Sequence, residues 1–175
     1  MMSARRPRPA AFLDRDGTLN VDVDYAHRPD QITWLPGAVA ALRRLNAAGW
    51  WVFVVTNQSG VARGMFDEAT VRALHAWMAA DLARQGARVD AFYYCPHHAT
   101  QGVGRYRLAC DCRKPAPGLL LRAMADFPVD AGRSFMLGDR PRDVQAGAAA
   151  GVTGVLYEGG NVDALVARLL AERGG

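Results

Sequence analysis

Lysine is nearly missing from this chain. Of its 21 lysines and arginines only Lys114 is a lysine, so wherever a generic positive charge suffices the sequence carries arginine. A solitary lysine suits a place where a compact ammonium does what a planar guanidinium does not, such as neutralising phosphate beside a carboxylate. Cysteine is scarce as well: the three residues Cys95, Cys110 and Cys112 are an odd number, which argues against an exported domain built on disulfides. Long apolar runs are lacking too. The longest, Trp50 to Val55, falls far short of the about 20 residues that cross a bilayer. The N-terminal residues Met1 to Pro9 are basic but lack the apolar segment and cleavage site of a secretory signal. We read 1–9 as a flexible basic arm ahead of one domain over 10–175, and expect a cytoplasmic protein with no membrane partner. Repeats and low-complexity tracts are absent.

With 175 residues, half of them hydrophobic, the chain can bury one substantial core. Its formal net charge of +4 suits an anionic partner, either nucleic acid or a phosphorylated metabolite. Apolar runs alternate with helix-period segments, the pattern of a parallel sheet covered by helices. Strands are predicted at 10–14, 51–56, 91–95, 134–138 and 153–157, and helices at about 37–48, 67–85, 117–126, 141–150 and 161–172, with Pro36, Asp67, Pro117 and Asn161 near their starts.

Four of these strands run into polar motifs. The run Ala10-Ala11-Phe12-Leu13 ends in Asp14-Arg15-Asp16-Gly17-Thr18. At the carboxyl end of a buried parallel strand, two carboxylates two positions apart point into one crevice. Unaided they would repel, so a divalent cation or a division of roles is expected, one attacking phosphorus and the other protonating the leaving oxygen. Thr56-Asn57-Gln58-Ser59-Gly60 comes after the second strand with hydroxyls and turn N–H groups suited to phosphate. Gly138-Asp139 comes after the fourth and adds a third carboxylate, able with Asp14 to enter an oxygen shell for Mg2+. Asp143, one helical turn on, either orients Lys114 or a metal-bound water, or simply favours the helix start.

Cys95-Pro96-His97 and Cys110-Asp111-Cys112 match a closed, tetrahedral Cys3His site for Zn2+. A disulfide and unligated buried thiols are the alternatives. His97 is preferred to His98 by its spacing from Cys95.

Together, Asp14-Arg15-Asp16-Gly17-Thr18, Thr56, Lys114 and Gly138-Asp139 resemble the four ordered motifs of the haloacid dehalogenase superfamily of phosphotransferases. The second aspartate is similar to its phosphatase branch. Within that branch, Thr-Asn-Gln-Ser-Gly-Val-Ala-Arg-Gly, Tyr-Tyr-Cys-Pro-His-His and Cys-Asp-Cys-Arg-Lys-Pro resemble the zinc-loop phosphatases of sugar bisphosphates. The likeness runs from about residue 10 to residue 150. It implies an α/β, Rossmann-like three-layer domain with a parallel sheet of order 5-4-1-2-3, minimal cap loops and a zinc-stapled loop. The implied reaction removes the 7-phosphate of a heptose 1,7-bisphosphate, for a bacterial surface polysaccharide precursor.

By position, the resemblance makes Asp14 the nucleophile and Asp16 the general acid and then base. Asp14, the Asp16 backbone carbonyl and Asp139 would bind magnesium, and Thr56 and Lys114 the transferring phosphoryl group. Asp22, Asp24, Tyr25, Asn57, Gln58, Ser59, Arg113 and Arg140 are expected to face the sugar bisphosphate. The family's Gly-Asp-Lys is here Gly-Asp-Arg. A histidinol-phosphate phosphatase shares these motifs, but Arg113 and Arg140 favour a substrate with a second phosphate. The intervals Thr18 to Trp51 and Cys95 to Lys114 are too short for the full cap of a phosphomutase, and a monomer is expected. A zinc-stabilised nucleic-acid-binding module is the remote alternative, weakened by having only Tyr106 interleaved with the loop's cations.

Overall fold

The computed structural model describes residues 6–174. Five strands, β1 (Ala10–Leu13), β2 (Trp51–Asn57), β3 (Ala91–Cys95), β4 (Phe135–Gly138) and β5 (Thr153–Leu156), form one sheet of order β3-β2-β1-β4-β5. Every pairing is parallel, and this is the expected order read from the opposite edge.

Period-two alternation sorts the side chains. Ala11, Leu13, Val52, Val54, Phe135 and Leu137 join one core with α1 (Ala38–Ala47), α6 (Val162–Glu172) and the end of α3 (Glu68–Arg84). Ala10, Phe12, Phe53, Val55 and Met136 join a second core with α4 (Gly118–Asp126) and α5 (Pro141–Ala149). Three layers result. The central strands β1, β2 and β4 are buried almost throughout, whereas β3 and β5 at the edges are only partly covered. That difference is what continuous apolar runs encode in a parallel sheet.

Helix starts reflect side-chain chemistry. Asp67 accepts from the Thr70 N–H at 2.8 Å and Asn161 from the Ala164 N–H at 3.0 Å, each satisfying a backbone donor that lacks an intrahelical partner. The sequence reading missed a four-residue helix, α2 (Ser59–Ala62), and took its first residues for a turn. The strand at 91–95 is found as expected, and the other four differ from their expected bounds by one residue at one end.

The expected free arm is also shorter at its inner end. Arg8 exchanges backbone bonds with Pro128 and Asp130 (3.0 and 2.8 Å), and its guanidinium lies 3.5 Å from the Trp51 ring centroid. Pro9 accepts from the Trp51 N–H at 2.9 Å. A cation over an indole holds the segment against the body. Residues 1–5 of that arm lie outside the described residues.

No helix among the described residues is long and apolar enough to cross a membrane. Between Leu13 and Trp51 lie only loops, a short 3-10 turn and α1, and between Cys95 and Lys114 only loops and a short 3-10 turn. Among the described residues no separate cap domain stands over the strand ends.

Candidate active site

The carboxyl ends of β1, β2 and β4 form a buried floor. Asp14 leaves β1 with its N–H bonded to the Leu137 carbonyl at 3.0 Å, and its Oδ1 accepts from Lys114 Nζ at 2.8 Å. The ammonium also donates to the Val55 carbonyl at 2.8 Å and pairs with Asp143 Oδ1 at 2.6 Å. Lys114 is 2% exposed and Asp143 0%. Asp143 Oδ2 meanwhile accepts from the Arg140 N–H at 3.0 Å at the start of α5. Both roles foreseen for Asp143 are therefore filled by one carboxylate. A Cβ on Gly138 would strike it, so the strand must end in glycine there.

Burial pushes the Asp14 carboxyl up to about 7, with Asp143 adding to the rise and Lys114 opposing it. A carboxylate so placed needs more positive charge than one lysine supplies to stay ionised. Asp139 offers a place for it. Its carboxylate sits against Gly17, whose φ of 84° and missing Cβ allow the approach, and its buried Oδ1 has no hydrogen-bond partner. Oxygens of Asp14, Asp139 and Asp143 lie within 4.8 Å of one another. An orphaned buried carboxylate oxygen beside two others fits a hard divalent cation.

Asp16 stands apart from that cluster. Its carboxylate accepts from Arg15 Nη2 at 3.1 Å, Gln58 Nε2 at 3.2 Å and Asn20 Nδ2 at 3.0 Å, and its side chain keeps 21% exposure. Gln58 also donates to Thr56 Oγ1 at 2.9 Å, tying the β1 and β2 motifs together. Asn57 exchanges two bonds with the Lys114 backbone, at 3.0 and 3.2 Å. Both amides were expected to face substrate, yet their hydrogen bonds go to protein groups that place Asp16, Thr56 and Lys114.

Above the floor opens a cleft of about 260 Å³, lined by Asp16, Asp22, Asp24, Tyr25, Asn57, Gln58, Ser59, Arg63, Arg113, Arg140 and Arg142. All the residues expected at the sugar except the buried Thr56 and Lys114 come together there. Arg63 and Arg142 were not foreseen, although Arg63 stands inside a motif already singled out. Burial lowers the Arg113 pKa, and the like charges of Arg142 and Arg63 add to the fall. Asp24 and Tyr25 hold consecutive left-handed conformations, with φ of 57° and 62°, a strained turn for side-chain-bearing residues.

A larger groove, about 720 Å³, runs along the exposed edge of β3. Asp14, Asp16, Lys114 and Asp139 are not among its lining residues. Its tyrosines Tyr94 and Tyr106 both donate to Glu68 at 2.8 Å, so the groove's polar groups satisfy one another.

The second donor cluster lies beyond Lys114. Single donor atoms of Cys95, His97, Cys110 and Cys112 all lie within 4.8 Å of one another. Cys112 Sγ is 2.8 Å from Cys95 Sγ, 3.3 Å from Cys110 Sγ and 3.5 Å from His97 Nδ1. The thiol of Cys112 is pushed up by its hydrogen bond to Cys95 and by burial. Three thiols and an imidazole gathered this closely form a donor set that fits a tetrahedral cation such as zinc, which would take the sulfurs as thiolates. None is in a disulfide.

The chain is 51% identical over 98% of its length to a D-glycero-β-D-manno-heptose-1,7-bisphosphate 7-phosphatase of Rhodopseudomonas palustris, covering 96% of that protein. It belongs to this family of HAD-like phosphatases. A family model described as HAD-hydrolase-like matches residues 111–173. A family member of the same name from Pasteurella multocida is 49% identical over 82% of the chain and 77% of its own length. The solved D,D-heptose 1,7-bisphosphate phosphatase of B. bronchiseptica, complexed with magnesium and phosphate, superposes with a TM-score of 0.79. It is 38% identical, with 94% of this chain and 99% of that one covered. Membership of this phosphatase family leaves the nucleic-acid-binding alternative without support.

Proposed function

We propose that this phosphatase removes the 7-phosphate of D-glycero-β-D-manno-heptose 1,7-bisphosphate, and that the arginine-lined cleft beside a buried Asp14–Lys114 pair carries the reading. Among the described residues, Arg63, Arg113 and Arg142 pair with no carboxylate, while Arg140 reaches Asp139 at 3.6 Å. Guanidinium groups crowded without counter-ions favour a substrate bearing a second phosphate. Histidinol phosphate has one phosphate and brings an amine, which the same cations repel.

The chemistry rests on the floor. Asp14 forms a bond to phosphorus as the bond to O7 breaks, giving an aspartyl-phosphate. Asp16 gives its proton to O7, then takes one from the water that attacks phosphorus and frees inorganic phosphate and Asp14. Thr56 and Lys114 hold the transferring group. Asp14, Asp139 and the Asp16 carbonyl are the residues to hold Mg2+, which when bound neutralises phosphoryl charge. Cys95, His97, Cys110 and Cys112 are the ligands for a structural Zn2+ that fixes the loop leading into Arg113 and Lys114.

Phosphate release from both heptose bisphosphate anomers and from histidinol phosphate, with magnesium and with excess chelator, tests this. Magnesium-dependent turnover concentrated on the β anomer is expected. A preference for histidinol phosphate would overturn the substrate, and activity retained in Asp14→Asn would overturn the mechanism.

A further inference from the structure

Asp16 is held by the side chain of its neighbour Arg15, which is in turn met by a residue from a distant helix. Arg15 is 0% exposed, and its Nη2 and Nε contact both carboxylate oxygens of Asp16 at 3.1 to 3.3 Å. The same Nη2 reaches the Ala26 carbonyl at 2.8 Å. Nη1 points away from Asp16, toward His75 Nε2 at 3.1 Å.

A guanidinium only donates, so His75 Nε2 must accept, which requires an unprotonated nitrogen there. Burial, with help from the Arg15 charge, holds the His75 pKa down at about 3 and keeps the ring neutral. The imidazole cannot turn easily. It stacks on Phe92 at 4.7 Å between centroids and 19° between planes, and meets the Tyr94 ring edge-on at 6.0 Å. In the sequence His75 is the one polar residue in the buried stripe of α3, beside Val71, Leu74, Met78 and Leu82.

We propose that His75 is a positioning residue: by accepting from Nη1 it sets the rotation of the Arg15 fork, and the fork presents Asp16 to the cleft for proton transfer to the leaving oxygen. This rests on the phosphatase reading. Without an acceptor at Nη1 a buried donor is left unpaired, and the planar fork turns to find one. Because the fork is rigid, Asp16 turns with it. Asp14, Lys114 and the cleft arginines are untouched by that change.

The readout is leaving-group dependence. From heptose 1,7-bisphosphate the leaving group is the O7 alkoxide of heptose 1-phosphate, which needs the proton, whereas from p-nitrophenyl phosphate it is a stable phenolate that does not. In His75→Leu, kcat on the heptose bisphosphate should fall about 10-fold with KM within about twofold, and kcat on p-nitrophenyl phosphate should change by less than about twofold. His75→Gln keeps an accepting oxygen and should return both to near wild type. Equal losses on the two substrates, or no loss on either, would overturn the inference, because a role confined to packing does not distinguish leaving groups. If His75→Leu does not fold, His75→Met, a more adaptable apolar side chain, carries the same expectation. A wild-type enzyme inert on the heptose bisphosphate would overturn the assigned reaction together with the inference; wild-type turnover without selectivity in the variants would overturn the inference alone.

Discussion

The floor and the rim of the cleft are built on opposite principles. On the floor, Asp14, Thr56, Lys114 and Asp143 are each less than a tenth exposed, and each is already held by protein groups. On the rim, Asp22, Asp24, Arg63, Arg140 and Arg142 are exposed, and most of their charge has no internal partner. The cost of ordering the floor is met in folding, while the exposed rim side chains keep rotamer freedom that binding a ligand would have to restrict. Damage to the floor should therefore appear in kcat and in stability, and damage to the rim in KM and in salt sensitivity.

The largest effect should come from Asp14→Asn, which removes the proposed nucleophile without changing its shape. Turnover should drop by at least about 10³-fold. Since burial already raises the Asp14 pKa, thermal stability should stay equal or rise, and a large loss of Tm would show that the floor is not preorganised as described.

Lys114→Met separates charge from packing on the same floor. It leaves Asp14 and Asp143 facing each other without the ammonium, which should cost about 3–5 kcal/mol in denaturant unfolding.

At the boundary between the two regions, Cys112→Ser tests the proposed zinc site: metal content should fall from about one zinc per chain in the unaltered protein, and Tm should drop by about 10 °C. Because Asn57 still grips the Lys114 backbone, KM should rise before kcat falls. The reverse order would place the metal loop with the floor.

On the rim, Arg142→Ala should raise KM for the bisphosphate by about 10-fold with kcat within about twofold, and leave a monophosphate substrate unaffected.

The smallest effect concerns pH. The folded-state pKa of His75 lies below its ordinary value of 6.5, so the unfolded chain binds the extra proton first as pH falls. The stability that the neutral ring contributes is complete above about pH 6.5 and declines toward pH 3, by about 1.4 kcal/mol per pH unit at most. His75→Leu should flatten that limb in acid denaturation.

The floor was more legible than the rim for a physical reason. Asp14, Asp16, Thr56, Lys114 and Asp139 each follow a strand or precede a helix, and the carboxyl edge of a parallel sheet collects such residues whatever their separation along the chain. Arg63 lies in the exposed turn after α2 and Arg142 on the exposed first turn of α5, and arginine is common throughout this sequence, so nothing local distinguished them. Asn57 and Gln58 were found in the right place but with other partners, since an amide's hydrogen bonds depend on which groups the fold brings near. The docking of Arg8 on Trp51 was equally invisible, because a basic residue near a chain end carries no local sign of the ring it will meet.

Local composition alone determined that the chain makes a parallel α/β domain with carboxylates at one edge and a thiol cluster near its only lysine, because strand periodicity, capping residues and motif spacing are short-range properties. Only the tertiary structure decided that Asp143 serves both Lys114 and the start of α5, that Gln58 and Asn57 brace the floor, and that His75 reaches Arg15 across 60 residues of sequence. Those contacts arise where α3, β1, β2 and β4 pack together, and a hydrogen bond between such elements depends on distances that no single segment contains.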